Sequence, residues 1–352
     1  MFGRFINRLI SLIKRSFIFI LVYVSSIYIL YNEVGINIYA TIAISMGIAV
    51  SIQLLRMKKS DILDLHVDFS NINIPQLSKT LPLKYQKIYP KTYALLSGLV
   101  GLESVKDNII NILNLIKIEQ IRGEKPIVGH YIFKGNPGTG KTTVGRILGQ
   151  TFKELGLLKR GHFIEVSRND LVGQYQGHTA DKTTTILRKA LGGVLFIDEV
   201  YSLVNGEGDD FGREAINTIV PFMENHRNEF ILIVAGYTDT LDTFLDKNTG
   251  LKSRFNYTIE FEDYSNVQLY DIFEIFAYKF FWDKKTTNII KKILKNLVKN
   301  KCKHFGNARE VRKIFETIKQ NQSNRLVAKL DHLYKDDPSL FEIKHNDLDM
   351  KL

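Results

Sequence analysis

The stretch GNPGTGKTT at 135–143 constrains the fold of this chain more than any other. It carries G-x-x-x-x-G-K-[ST] in full, follows the apolar run HYIFKG (130–135), and opens the helical segment KTTVGRILGQTFKEL (141–155). In a strand–glycine loop–helix unit, backbone N–H groups curl around phosphate oxygens at the positive end of the helix. Gly135, Asn136, Pro137, Gly138, Thr139, Gly140, Lys141, Thr142 and Thr143 thus form a candidate phosphate site. Lys141 is expected to reach the β- and γ-phosphates, and the Thr142 hydroxyl to ligate Mg²⁺.

The remaining pattern supplies a sheet for that loop. HFIEVS (162–167), GVLFIDE (193–199), EFILIVAG (229–236) and YTIEFED (257–263) read as further strands, with helical periodicity at 104–121, near 180–190 and at 212–224. Apolar strands alternating with helices predict an α/β domain: a parallel five-stranded sheet buried by helices on both faces. The run VLFIDE ends on Asp198 and Glu199, at the edge where such sheets bind ligands. Alone, the two acids would read as the start of a helix after a core strand. Behind a complete phosphate loop, Asp198 is placed to hold Mg²⁺ through water and Glu199 to polarise an attacking water. After Tyr264 strands give way to helices at 286–303, apolar on one stripe and lysine-rich on the other, and at about 307–321.

Charge is unevenly distributed. The chain is +11 overall, which first suggests nucleic acid, yet residues 1–59 hold seven of the Lys and Arg residues against Glu33 alone. These basic residues bracket two uncharged apolar runs, 17–31 and 38–55, joined by NEVGIN. Spanning a bilayer takes about 20 apolar residues, and basic flanks around an uncharged link predict an N-terminal transmembrane helical hairpin with both ends cytoplasmic. A signal peptide would show a small-residue cleavage site, which does not follow Tyr31. A shallow re-entrant hairpin or two buried soluble helices remain the other readings. The lone Cys302 forms no internal disulfide, H-E-x-x-H is absent, and motif content supports no nucleic-acid module; the lysine stripe reads as a solvated face.

GLVGLESVKDNI, GNPGTGKTTVGRILG, DLVGQYQGHTADKT, GGVLFIDEVYSL, GREAINTIVPFMEN, ILIVAGY, GLKSRF and FGNAREVR occur in that order. Together, over about 98–320, they resemble the AAA+ ATPases of the CbbX and stage V sporulation protein K group, which includes the red-type Rubisco activase. The resemblance implies a P-loop AAA+ domain with a small α-helical lid, ATP with Mg²⁺ as cofactors, and a homo-oligomeric ring, a hexamer. It implies that Val100 and Gly101 line the adenine pocket, that Arg254 is an arginine finger reaching a neighbour's site, and that Arg309 closes the lid on the nucleotide. Ala235-Gly236-Tyr237 departs from the commoner Ala-Thr-Asn at the first sensor, leaving Tyr237 or Thr238 to hold the water. Tyr175, Gln176 and Gly177 fall where such proteins carry an aromatic–hydrophobic–glycine pore loop, with Gln176 in place of the hydrophobic residue.

The expected organisation is a basic N-terminus (1–15), a membrane hairpin (16–56), a linker (57–95), the AAA+ domain (96–263), the lid (264–322) and a charged tail (323–352). The expected function is a membrane-anchored ATPase that remodels or threads a protein client of unknown identity. A nucleotide-controlled scaffold of a membrane complex, such as a secretion or defence apparatus, is the rival. A soluble Rubisco-activase-type remodeller is the third reading, and a membrane hairpin serves no purpose in it.

Overall fold

The computed structural model describes residues 81–82, 84–175, 177–204, 210–328 and 337–349. The expected hairpin and Gln176 lie outside them. Among the described residues, no helix is long and apolar enough to cross a membrane. The chain forms two compact units, and the described part of the first, within 82–94, comprises α1 (Lys84–Ile88) and the start of α2 (Pro90–Ser97).

In the second unit α3 (Glu103–Ile121) leads into β1 (Tyr131–Gly135), and α4 (Lys141–Glu154) follows the glycine loop. Then come β2 (Phe163–Val166), α5 (Arg168–Leu171), α6 (His178–Ala190), β3 (Val194–Ile197), a short 3₁₀ turn at Val200–Leu203, and α7 (Asp210–Asn225). β4 (Ile231–Gly236), α8 (Thr238–Lys247), α9 (Thr249–Lys252) and β5 (Tyr257–Phe261) complete the α/β part. All strand pairs are parallel, in the order β2-β3-β4-β1-β5, so the phosphate-loop strand sits between β4 and β5.

Alternation along the strands explains the two covering layers. Leu195 and Ile197 of β3 and Leu232 and Val234 of β4 join Leu187, Ile216, Ile219, Leu241 and Phe244 in one core, beneath α6, α7 and α8. Their neighbours Val194, Phe196 and Ile233 face α4, where Gly145 and Gly149 let the helix approach. β3 and β4 are buried throughout, as their unbroken apolar runs require.

The helical part holds α10 (Asn266–Phe276), α11 (Lys284–Lys299) and α12 (Ala308–Val327). Ser265 starts α10 with a reciprocal capping box: its Oγ accepts from the Gln268 N–H, while Gln268 Oε1 accepts from the Ser265 N–H. α11 buries Thr286, Ile290 and Leu294 and leaves its lysines outward. The region expected as a charged tail from residue 323 differs from that expectation. α12 continues to Val327, and residues 337–349 fold back on the helices. Arg325 donates two hydrogen bonds, at 2.7 and 2.8 Å, to the buried Asp347, and Ile343 and Leu348 are also buried. Short 3₁₀ turns carry no helical periodicity, so this return has little signature in sequence.

Candidate functional site

The C-terminal edge of the sheet opens into a cleft of about 520 Å³. Gly135, Pro137, Gly138, Gly140, Lys141, Thr142 and Thr143 line one side, Asp198 and Glu199 the end of β3, Tyr237 the end of β4, and Arg309 the start of α12. These residues come from four places in the chain: three follow strands that end at this edge, and the fourth is brought there by the start of α12, whose Ala308 N–H donates to the Gly138 carbonyl.

Lys141 Nζ donates to the carbonyls of Gly135 (2.8 Å) and Asn136 (2.7 Å), so the ammonium is already directed along the loop. Burial lowers its pKa to about 8; Asp198 and Glu199 oppose that shift and Arg309 adds to it. The loop closes on itself through Thr139, fully buried, whose Oγ1 donates to the Asn136 carbonyl at 2.8 Å. Gly138 has φ 70°, and any side chain there would run into the Gly306 carbonyl of the helical part. Glycine is required at that position twice over, for conformation and for space.

Asp198 and Glu199 separate in role as soon as the strand ends. Asp198 Oδ1 accepts from the Glu199 N–H at 3.0 Å, and Glu199 itself adopts φ 48°, ψ 47°, which turns the chain into the 3₁₀ turn that follows. Glu199 is thereby exposed at the cleft while Asp198 stays partly buried. Among the described residues no group of three or more His, Cys, Asp or Glu could hold a metal ion. One carboxylate beside one hydroxyl suits Mg²⁺, which arrives with phosphates and keeps several waters. Thr142 and Asp198 are the residues that would hold it.

Several expected residues fall elsewhere. Val100 lines the cleft, but Gly101 does not: its α-carbon faces the Gln268 side chain. Asn136 commits its amide to Asp263, donating to Oδ1 at 2.9 Å. Thr238, the alternative first sensor, begins α8, leaving Tyr237 as the lining residue. Arg254 is absent from this cleft. It lies three residues before β5, at the end of the sheet opposite the phosphate loop, and pairs with Glu224 at 3.4 Å. Tyr175 is 67% exposed in the loop between α5 and α6, its ring edge-on to His178, and Gly177 follows at φ 83°.

Other lining residues were not singled out in the sequence. Leu99, Leu102 and, from α10, Ile272, Ile275 and Phe276 add apolar lining to the cleft. Arg312, one turn after Arg309, also lines it and stacks over Phe276 at 4.9 Å. Its signal was available, since AREVR places both arginines on one helix face. Tyr201 also lines the cleft, and a side chain at Gly236 would stand 2.6 Å from its ring. That contact gives a physical reason for glycine where threonine is commoner. Burial, then the charges of Glu199 and Asp198 and the phenol of Tyr237, raise the Tyr201 pKa well above its ordinary range, so it remains a neutral hydroxyl donor.

Residues 131–263 match the model for the ATPase family associated with various cellular activities (AAA), and 265–352 match an AAA lid domain. The chain is 44% identical to stage V sporulation protein K of Bacillus subtilis over 73% of this chain and 81% of that protein. It is 40% identical to protein CbbX of Cereibacter sphaeroides over 65% and 76% of the two chains. With the chloroplastic ribulose bisphosphate carboxylase/oxygenase activase of Cyanidioschyzon merolae it shares 39% identity over 65% and 80%. Among solved structures, the FIGL-1 AAA domain in complex with ADP aligns at a TM-score of 0.50 and 18% identity, covering 69% of this chain and 78% of that one. That last likeness concerns the fold alone.

Proposed function

The chain belongs to the AAA ATPase family and hydrolyses ATP, and from that premise we propose that it is a membrane-anchored machine that assembles into a ring of six and remodels or threads a protein client. One observation carries the ring: the cleft gathers Lys141, Thr142, Asp198, Glu199 and Arg309, while Arg254 stands at the opposite end of the sheet. β5 spans five residues, or about 16 Å of extended chain, and that separation supports the reading in which Arg254 serves the site of a neighbouring copy.

In this reading Lys141 and Arg309 hold the phosphates, and Thr142 and Asp198 hold Mg²⁺, which neutralises phosphate charge when bound. Glu199 orients and polarises the attacking water, with the Tyr201 and Tyr237 hydroxyls beside it. The neighbour's Arg254 offsets charge that develops on the γ-phosphoryl oxygens. Exposed Tyr175 grips an extended polypeptide through apolar contact, without reading its sequence. One relative is by name an activase of another enzyme, which supports ATP-driven action on a protein over a purely structural role. The basic-flanked runs at 17–31 and 38–55 supply the anchor, with the N-terminus and the ATPase part in the cytoplasm.

The test is ATP hydrolysis by the full-length chain in detergent, with and without an unfolded polypeptide. The remodelling reading expects stimulation that Tyr175→Ala abolishes. A rate indifferent to polypeptide, together with ATP-dependent assembly, would instead favour the nucleotide-controlled scaffold. Flotation with vesicles tests the anchor, and full-length protein that stays soluble without detergent would contradict it.

A further inference from the structure

Asn307 sits just before α12 with φ 47° and ψ −123°, a backbone conformation that favours glycine. Its side chain is wholly buried and uses its hydrogen-bonding capacity across three segments. Its Oδ1 accepts from the Tyr264 N–H at 2.9 Å, at the junction between β5 and α10. Its Nδ2 donates to Asp263 Oδ1 at 2.8 Å and to the Phe305 carbonyl at 3.0 Å, and lies 3.3 Å from the Pro137 carbonyl of the phosphate loop.

Asp263 completes the bracket. The same Oδ1 accepts from Asn136 Nδ2, and Oδ2 pairs with Lys301 Nζ at 3.0 Å. Burial raises the Asp263 pKa, but the amides of Asn307 and Asn136 and the Lys301 ammonium outweigh it and hold the group below its ordinary value. The carboxylate is therefore charged at neutral pH and strengthens each bond to it. The Ala308 N–H donates to the Gly138 carbonyl at 3.3 Å, so the start of α12 rests directly on the loop.

We propose that Asn307 is a positioning residue for nucleotide binding: its amide fastens the first turn of α12 to the phosphate loop and the hinge, and so holds Arg309 in the cleft. The presence of asparagine at a glycine-favouring position follows from this, because glycine would ease the backbone but make none of the side-chain bonds. Asn136 and Asp263 form the other arm, through which phosphates settling in the loop and closure of the helices favour each other. The inference rests on nucleotide binding in this cleft.

The experiment is calorimetric titration of the full-length chain in detergent with a non-hydrolysable Mg·ATP analogue. Asn307→Gly suits the backbone, so the melting temperature without nucleotide should stay within a few degrees of the parent. Its affinity should fall about tenfold, the size of one charge-assisted hydrogen bond. Arg309→Ala should fall similarly, and the double variant no further, because a mispositioned arginine has nothing left to lose. Parent-like affinity in Asn307→Gly, or losses that multiply to about a hundredfold in the double variant, would overturn the proposal. Should Asn307→Gly fold poorly, Asp263→Ala reads the same coupling from the hinge side, and multiplication with Arg309→Ala would again overturn it. A parent that binds no nucleotide would remove the site and the bracket together.

Discussion

The two ends of the sheet are built differently. At the C-terminal end, Lys141 is held by two loop carbonyls within 2.8 Å, and α12 is fastened over the loop by a buried amide. At the N-terminal end, Arg254 is 40% exposed at its side chain, and its 3.4 Å pair is with a Glu224 that is 47% exposed. Such a pair contributes about 0–1 kcal/mol. Lys141 and the start of α12 are held by hydrogen bonds within the chain, whereas Arg254, proposed to act in another copy, is held lightly enough to be exchanged for a new partner. The segment bearing Arg254 is nonetheless anchored. The Asn256 N–H donates to the His130 carbonyl, the Asn256 side chain accepts from the His130 N–H at 3.0 Å, and His130 Nδ1 accepts from the Leu232 N–H at 2.9 Å. The backbone is tied to the sheet by these hydrogen bonds, while the Arg254 side chain is held only by an exposed ion pair.

The largest effect that could break this contrast is at Arg254. Arg254→Ala should lower ATP hydrolysis by about 10³–10⁵ while leaving nucleotide affinity close to the parent, as read by steady-state rate and calorimetry. A matching loss of affinity would place the arginine in its own chain's cleft. At the other end, Glu199→Gln should lower the rate by about 10²–10⁴ and leave ATP bound; turnover near the parent rate would remove Glu199 from the chemistry. Lys141→Ala should act on binding, weakening it about a hundredfold through loss of charge-assisted bonds to phosphate. Unchanged affinity by calorimetry would mean that the loop is not the site.

The smallest effect concerns the anchor of the Arg254 segment. Burial, with a contribution from Arg227, lowers the His130 pKa to about 4, against 6.5 for the free side chain. Between those values the unfolded chain binds the extra proton and the folded chain does not. The stability from neutral His130 is therefore complete above about pH 6.5 and is lost as pH falls towards 4, up to about 3 kcal/mol. Denaturant unfolding at pH 7 and pH 4.5 should show this slope. His130→Asn, which keeps an acceptor but cannot be protonated there, should flatten it; an equal slope in the variant would assign the acid sensitivity to other groups.

The legibility of these features in sequence follows the same division. GNPGTGKT and VLFIDE were readable because the chemistry fixes both residue type and spacing, and all five strands stood out as apolar runs between turn signals. What escaped depends on residues far apart in the chain. Gly236 makes room for Tyr201, 35 positions away, and Asn136 meets Asp263 across 127. That the Asn136 amide turns to Asp263 has no sequence signal. The apolar wall from α10 was hidden among ordinary amphipathic positions, where a residue facing a ligand and one facing a core look alike.

The claim that joins both ends is that one ATP site is shared between two copies, and mixing two inactive variants tests it most directly. A Lys141→Ala subunit keeps its Arg254, and an Arg254→Ala subunit keeps its loop. In mixed rings some intact loops face intact fingers, so ATP hydrolysis should return to a measurable fraction of the parent rate although each variant alone is inactive. If mixed rings demonstrably form and hydrolysis stays at the level of the separate variants, Arg254 does not complete a neighbour's site and the account of the finger fails.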